Sequence, residues 1–457
     1  MIEKHDHLER NKYICPTMTR SPIDQLLKPV SKFIHQEYTS GIVLFACVVI
    51  ALVWANAPWS DSYHHLWETR FSIGIEQQRF VQPLHVWIND GLMALFFFVI
   101  GLELKREFIA GELSTLRKAA LPMVGALGGM LVPALIFVAF NRGLPSSHGW
   151  GIPMATDIAF ALGLLSMAGK HIPGSVKTFL SALAVADDLG AVLVIALFYT
   201  QTIALVPLAI GLVLLIVLWI GNRLGIRDTI FYLVIGIIIW YFFLLSGVHA
   251  TIAGVLVAFM IPARTKINEQ EFVENTRKYA TDFEQAHRQD GSLTTWEQHR
   301  TISNIKQLCL DAETPLQKIE NALHPWVAFV IMPLFALANA GMPIGSDFFR
   351  SLSNPVSLGV SVGLVLGKFI GVLVFTWIMV RLGWAALPHK ANWKHIIGVA
   401  LLAGVGFTMS LFITGLAFTD MKMIDEAKYG ILLASLISGI AGVFFLKKLS
   451  PASKEAS

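Results

Sequence analysis

Charge is scarce in this sequence. Only 14% of its 457 residues are Asp, Glu, Lys or Arg, while 55% are hydrophobic. A soluble domain carries about 25% charged residues, so an ordinary globular fold in water is excluded. Cysteine is nearly absent as well. Cys15, Cys47 and Cys309 are odd in number and scattered, which excludes a disulfide framework. No Gly-x-x-x-x-Gly-Lys-Ser/Thr run occurs, so nothing points to work driven by nucleotide hydrolysis. The first 37 residues are polar and mixed in charge, and the first apolar run is already of membrane length, so no cleaved signal is expected. The net charge is only +4, and no nucleic-acid partner is expected.

What fills the chain instead is a series of apolar runs centred near residues 48, 97, 130, 161, 188, 211, 237, 254, 335, 368, 408 and 437. They predict an all-α polytopic membrane protein with about twelve transmembrane helices, its lipid-facing surface in the bilayer. Basic residues set the orientation. Lys4, Arg10, Lys12, Arg20, Lys28 and Lys32 crowd the N-terminal tail, and Lys105, Arg106, Arg117 and Lys118 follow the second span. Lys447, Lys448 and Lys454 lie at the other end, whereas the odd-numbered loops are poorer in basic residues. Both termini are therefore expected in the cytoplasm. The expected organisation is a tail at 1–37, eight spans in 38–262, a polar cytoplasmic insert at 263–323, four spans in 324–448 and a tail at 449–457. Residues 70–82 alternate partly around a polar turn and read either as a short extramembrane hairpin or as an ordinary loop. As a hairpin they could pair edge to edge with a second copy in a homodimer.

Few ionisable residues fall inside the apolar runs. Asp187 and Asp188 are adjacent and lie about ten residues from either end of theirs, roughly 15 Å deep. A carboxylate at that depth costs about 2.5–3.5 kcal/mol, and adjacent charges also repel. Cation and proton binding gives such a pair a reason to be there. Lys368 is also deep, and needs a partner or a water cavity. Thr156-Asp157 follows a Gly-x-Pro entry, and Gly404 and Gly406 interrupt the run near 408. Asp90, Glu103 and His249 have plainer readings as an interfacial cap, a snorkelling end residue beside Lys105, and a packing histidine.

Gly-interrupted segments at equivalent places in two halves indicate discontinuous helices. Spans three to five and ten to twelve then form two inverted three-helix repeats, with the broken helices in their middle positions. Facing half-helix ends carry partial charges, positive at N-termini and negative at C-termini. Asp157 could compensate the first and Lys368 the second.

These residues carry a resemblance. Trp87-Ile-Asn-Asp90, Gly101-Leu-Glu-Leu-Lys-Arg-Glu107, Ala155-Thr-Asp157-Ile-Ala-Phe-Ala-Leu-Gly, Asp187-Asp-Leu-Gly-Ala, Ser246-Gly-Val-His-Ala-Thr-Ile-Ala-Gly254, His324-Pro-Trp, Gly367-Lys368 and Gly404-Val-Gly-Phe-Thr-Met-Ser410 run in order along the chain. Together they resemble the NhaA-type sodium/proton antiporters. The resemblance implies electrogenic export of Na+ or Li+ in exchange for H+ across a bacterial inner membrane, activated at alkaline pH, with no cofactor and no enzymatic activity. It implies that Asp187 and Asp188 bind the ion and the protons, with Thr156 and Asp157 at the crossing of the broken helices and Lys368 either paired with an aspartate, Asp187 foremost, or balancing the helix ends. It places Glu103, Arg106, Glu107 and Glu320 in a cytoplasmic funnel and links His249 to the pH response. The long insert, the N-terminal extension and Asn321 depart from the family pattern. Two other classes compete with this reading: a carrier or channel for another cation, and an intramembrane aspartyl protease. The protease needs two facing aspartates, but neighbours on a helix point about 100° apart, and no Gly-x-Gly-Asp motif occurs.

Overall fold

The structure is a computed structural model and describes residues 37–75, 78–169, 171–200, 203–286, 293–345 and 348–449. The tails expected at 1–37 and 449–457 lie almost wholly outside the described residues. Nine helices among those described are long and apolar enough to cross a bilayer. Two bent pairs raise this to eleven, and one short apolar helix, Ala250–Met260, stands at the remaining place in the expected order of twelve. Backbone polarity explains the architecture: inside hydrocarbon, only a helix satisfies its own N–H and C=O groups.

The two bent pairs are the fourth and eleventh spans. Pro145–Met154 meets Ile158–Ala168 at 44°, and Trp393–Ala403 meets Phe407–Ala417 at 41°. The first half of the fourth span is wound as a 3₁₀ helix, and Ala155 and Asp157 beyond it are extended. Gly404 and Gly406 mark the other break. A glycine weakens a helix by about 1 kcal/mol relative to alanine, and a freed backbone group must find a partner. Here the two breaks supply one another: Asp157 N–H donates to the Val405 carbonyl at 2.7 Å, and Ser410 Oγ donates to the Ile152 carbonyl at 2.8 Å.

The third span (Arg117–Phe140) packs along the tenth (Pro355–Arg381). Gly128 and Gly371 meet there backbone to backbone, and a Cβ at Gly367 would lie 2.8 Å from Pro133 Cα. Close approach between backbones is how spans associate where lipid offers no hydrophobic drive. The fourth span lies against the twelfth (Met421–Lys447), and the eleventh against the fifth (Gly174–Phe198), as expected for two related halves.

The eighth span departs from the expected length. Ala250–Met260 has 11 residues, which at 1.5 Å each reach about half of a 30 Å core. Lys105 does not simply snorkel at the end of its own span. Its ammonium donates to the Phe259 carbonyl at 2.7 Å and to the Ile261 carbonyl, closing the short helix at its C-terminus. The ninth span begins at Pro315, ahead of the expected boundary at 324, with Thr314 as its N-cap.

Outside the spans, Arg70–Ile75 and Gln78–Pro83 form an antiparallel two-stranded hairpin, pairing Arg70 with Pro83 and Ile75 with Gln78. Within 263–323, helices Glu269–Gln285 and Trp296–Ala312 pack on one another. Lys266 closes their base by donating to Asp311 at 2.9 Å, which holds the Asp311 carboxyl below its ordinary range.

Candidate functional site

The site is built from the two breaks, the fifth span and the tenth. Asp157 is the N-cap of Ile158–Ala168, accepting from Phe160 N–H at 3.0 Å through Oδ1. Its Oδ2 accepts from Thr408 N–H at 3.1 Å and from Thr408 Oγ1 at 2.5 Å. One carboxylate therefore caps two helix N-termini, where the helix dipole favours negative charge. Thr408 is a member that sequence reasoning passed over, although its hydroxyl beside paired glycines at mid-span was a readable signal. Thr408→Val keeps the side-chain volume and the N–H donor but removes the hydroxyl. It is expected to lower stability by about 1–3 kcal/mol, because the buried carboxylate loses a donor. Unchanged thermal unfolding of the purified variant would show that Asp157 does not depend on it.

On the fifth span, Asp187 and Asp188 are both 0% exposed. Their surroundings differ. Asp187 Oδ2 accepts from Thr156 Oγ1 at 2.7 Å and is ion-paired with Lys368 Nζ. Lys368 Nζ also donates to Thr156 at 2.9 Å. Thr156 Oγ1 in turn lies 2.9 Å from the Ala403 carbonyl, at the C-terminal end of its half-helix. Lys368 thus meets an aspartate directly and approaches that helix end only through Thr156. A π-helical turn at Gly363–Gly367 immediately precedes it. Such turns re-aim the residues beside them.

Asp188 has no such partners. Neither of its carboxylate oxygens receives a hydrogen bond from the described residues, and Asp187 Oδ1 is likewise unpaired. A buried polar atom without a partner is rare and calls for a ligand. Three carboxylate oxygens with free lone pairs on two neighbouring residues suit a hard cation or protons. Asp157 has its carboxylate committed to the two caps, so it is poorly free to act as the facing partner that proteolysis requires.

The remaining candidates form two groups. Glu103 at the end of the second span (Leu84–Ala110) lies 3.4 Å from His324, and Arg106 pairs with Glu320 and, at 3.5 Å, with Glu107. This links the second span to the start of the ninth. At the opposite end of the second span, Asp90 and His249 share a cleft of about 330 Å³ with His85 and Asn89. Asp90 is not an N-cap, because it sits in a π-helical turn, Trp87–Leu92, inside the helix. His249 precedes the short eighth span and its Nε2 lies 2.9 Å from the Tyr199 carbonyl. His85 was not among the expected site residues, although it lies five residues before Asp90 on the same helical stretch.

Known proteins resemble this chain along most of its length. A family model described as Na+/H+ antiporter 1 matches residues 31–446. The chain is 48% identical over 426 residues to the Na(+)/H(+) antiporter NhaA 2 of Syntrophotalea carbinolica, covering 93% of this chain and 97% of that one. It is 47% identical over 435 residues to the Na(+)/H(+) antiporter NhaA of Oleidesulfovibrio alaskensis, covering 95% and 97%. The antiporter NhaA of Acidithiobacillus ferrooxidans is 47% identical over 428 residues, covering 93% and 98%.

Proposed function

The chain belongs to the Na+/H+ antiporter 1 family, and from that premise we propose that its sodium/proton exchange takes place at Asp188, with Asp187 as a conditional second ligand. The observation that carries this reading is the unpartnered Asp188 carboxylate, buried between two broken helices. In the arrangement described here Asp187 is held by Lys368 and Thr156. Release of Asp187 from Lys368 gives a cation both carboxylates. Protons take the same oxygens and displace it. Movement of one half of the helix crossing against the other turns this site from one side of the membrane to the other.

Sodium or lithium leaves the cytoplasm and protons enter, driven by the proton gradient of a bacterial inner membrane, with both termini cytoplasmic. More than one proton per cation makes the exchange electrogenic. Glu103, Arg106, Glu107 and Glu320, joined by His324, guard the cytoplasmic approach, and Asp90 and His249 line the opposite one. The free edges of the hairpin pair with those of a second copy in a homodimer.

Competition fixes the pH dependence. Protons and sodium seek the same oxygens, so falling pH weakens sodium binding and alkaline pH restores it. The apparent KM for sodium is expected to rise about ten-fold for each unit of falling pH per competing proton. Sodium and lithium titrations of proton flux at several pH values test this in everted membrane vesicles. A constant KM with only the maximal rate changing would place the pH control elsewhere.

A further inference from the structure

We propose that the lateral groove between the first, fourth and twelfth spans binds the acyl chain of an anionic phospholipid, whose headgroup is held by Lys447. The groove encloses about 280 Å³ and includes Gly41, Phe45, Phe160, Gly163, Phe407 and Leu436 in its lining. Gly41 and Gly163 meet on its floor. A Cβ at Gly41 would lie 3.7 Å from Gly163 Cα, and one at Gly163 would lie 3.5 Å from Gly41 Cα. These are ordinary contact distances, so the helices do not need glycine to approach. Without side chains, the two glycines lie where the first and fourth spans come into contact and leave the floor of the groove flat beside them.

The floor leads to the transport site. Phe45, Phe160 and Phe407 form a row, with centroids 6.4 Å apart in each step. Phe160 N–H is the donor that Asp157 caps, and Phe407 precedes Thr408, the other donor residue. A chain lying in the groove therefore packs against the first turn of both inner half-helices. It fills space where hydrocarbon contact would otherwise be lost.

Charge complementarity selects the lipid. On the twelfth span Leu432, Leu436, Gly439 and Ile440 face the groove. Lys447 follows Ile440 by seven residues, two helical turns, and so continues the same stripe about 10 Å further along the axis. It is exposed at the helix end, where an interfacial lysine meets a lipid phosphate. The neighbouring Lys448 is turned onto the Phe444 ring at 4.5 Å. His171 lies beside this end, with Nε2 3.1 Å from the Leu446 carbonyl, and adds no negative charge.

Native mass spectrometry of the full-length detergent-purified protein tests the assignment, with phosphatidylglycerol and phosphatidylcholine added separately. The wild type is expected to retain one phosphatidylglycerol per protomer, at least about ten-fold more tightly than phosphatidylcholine. Leu436→Trp, at a lipid-exposed position, blocks the groove and abolishes that retention. Gly163→Ala, which fits sterically, weakens it. Lys447→Gln removes the preference between the two lipids. Thermal unfolding gives a second readout: phosphatidylglycerol raises the wild-type melting temperature and leaves that of Leu436→Trp unmoved. Equal retention of both lipids by the wild type, or undiminished phosphatidylglycerol binding by both groove variants, would show annular lipid only and overturn the proposal.

Discussion

Everted vesicles carrying Asp188→Asn are expected to show no sodium- or lithium-dependent release of protons, where the wild type responds. The substitution keeps the shape of the side chain but removes a charge that receives no hydrogen bond from the described residues. A loss of more than about one hundred-fold in apparent cation affinity corresponds to about 2.8 kcal/mol, within reach of one charged ligand in a buried site. Stability should move the other way or not at all. A buried carboxylate without donors does not stabilise a fold, so the variant's melting temperature should equal or exceed that of the wild type. Exchange at the wild-type rate would remove Asp188 from the mechanism. Loss of exchange together with loss of folded protein would make its role structural. Asp187→Asn should be less complete, since Asp187 is engaged by Lys368 and Thr156 in the arrangement described here.

Lys368→Gln carries the second large effect, and on stability rather than on chemistry. Lys368 and Asp187 are both 0% exposed and form an ion pair. Removing one member of a buried pair typically costs about 3–5 kcal/mol, because the other charge is left unpaired. Proton uptake by Asp187 recovers part of that, so a fall of about 3 kcal/mol is expected, with residual exchange. Adding Asp187→Asn to Lys368→Gln removes the stranded charge and should restore much of the lost stability. Thermal unfolding of the two single variants and the double variant closes the cycle. Complete loss of exchange in a folded Lys368→Gln protein would instead make the lysine a proton carrier.

The sequence by itself determined the crossings and the place of the charges. Membrane-length apolar runs, glycine and proline interruptions and an aspartate pair at mid-span are local signals, because hydrocarbon imposes length and polarity on each segment separately. The broken fourth and eleventh spans were legible for that reason, and so was the hairpin's alternation. The shortness of the eighth span was not, because Lys105 closes it from a different helix. The same holds for Thr408 against Asp157, 251 residues apart in the chain. Asp187 and Asp188 look equal as neighbours in a run. The family resemblance gives Lys368 to Asp187, and the tertiary structure supplies the geometric reason. Adjacent helical residues point about 100° apart, so one reaches the Lys368 and Thr156 donors and the other reaches none among the described residues. Hydrogen-bond partnership is a property of what lies across the space, which no single segment encodes.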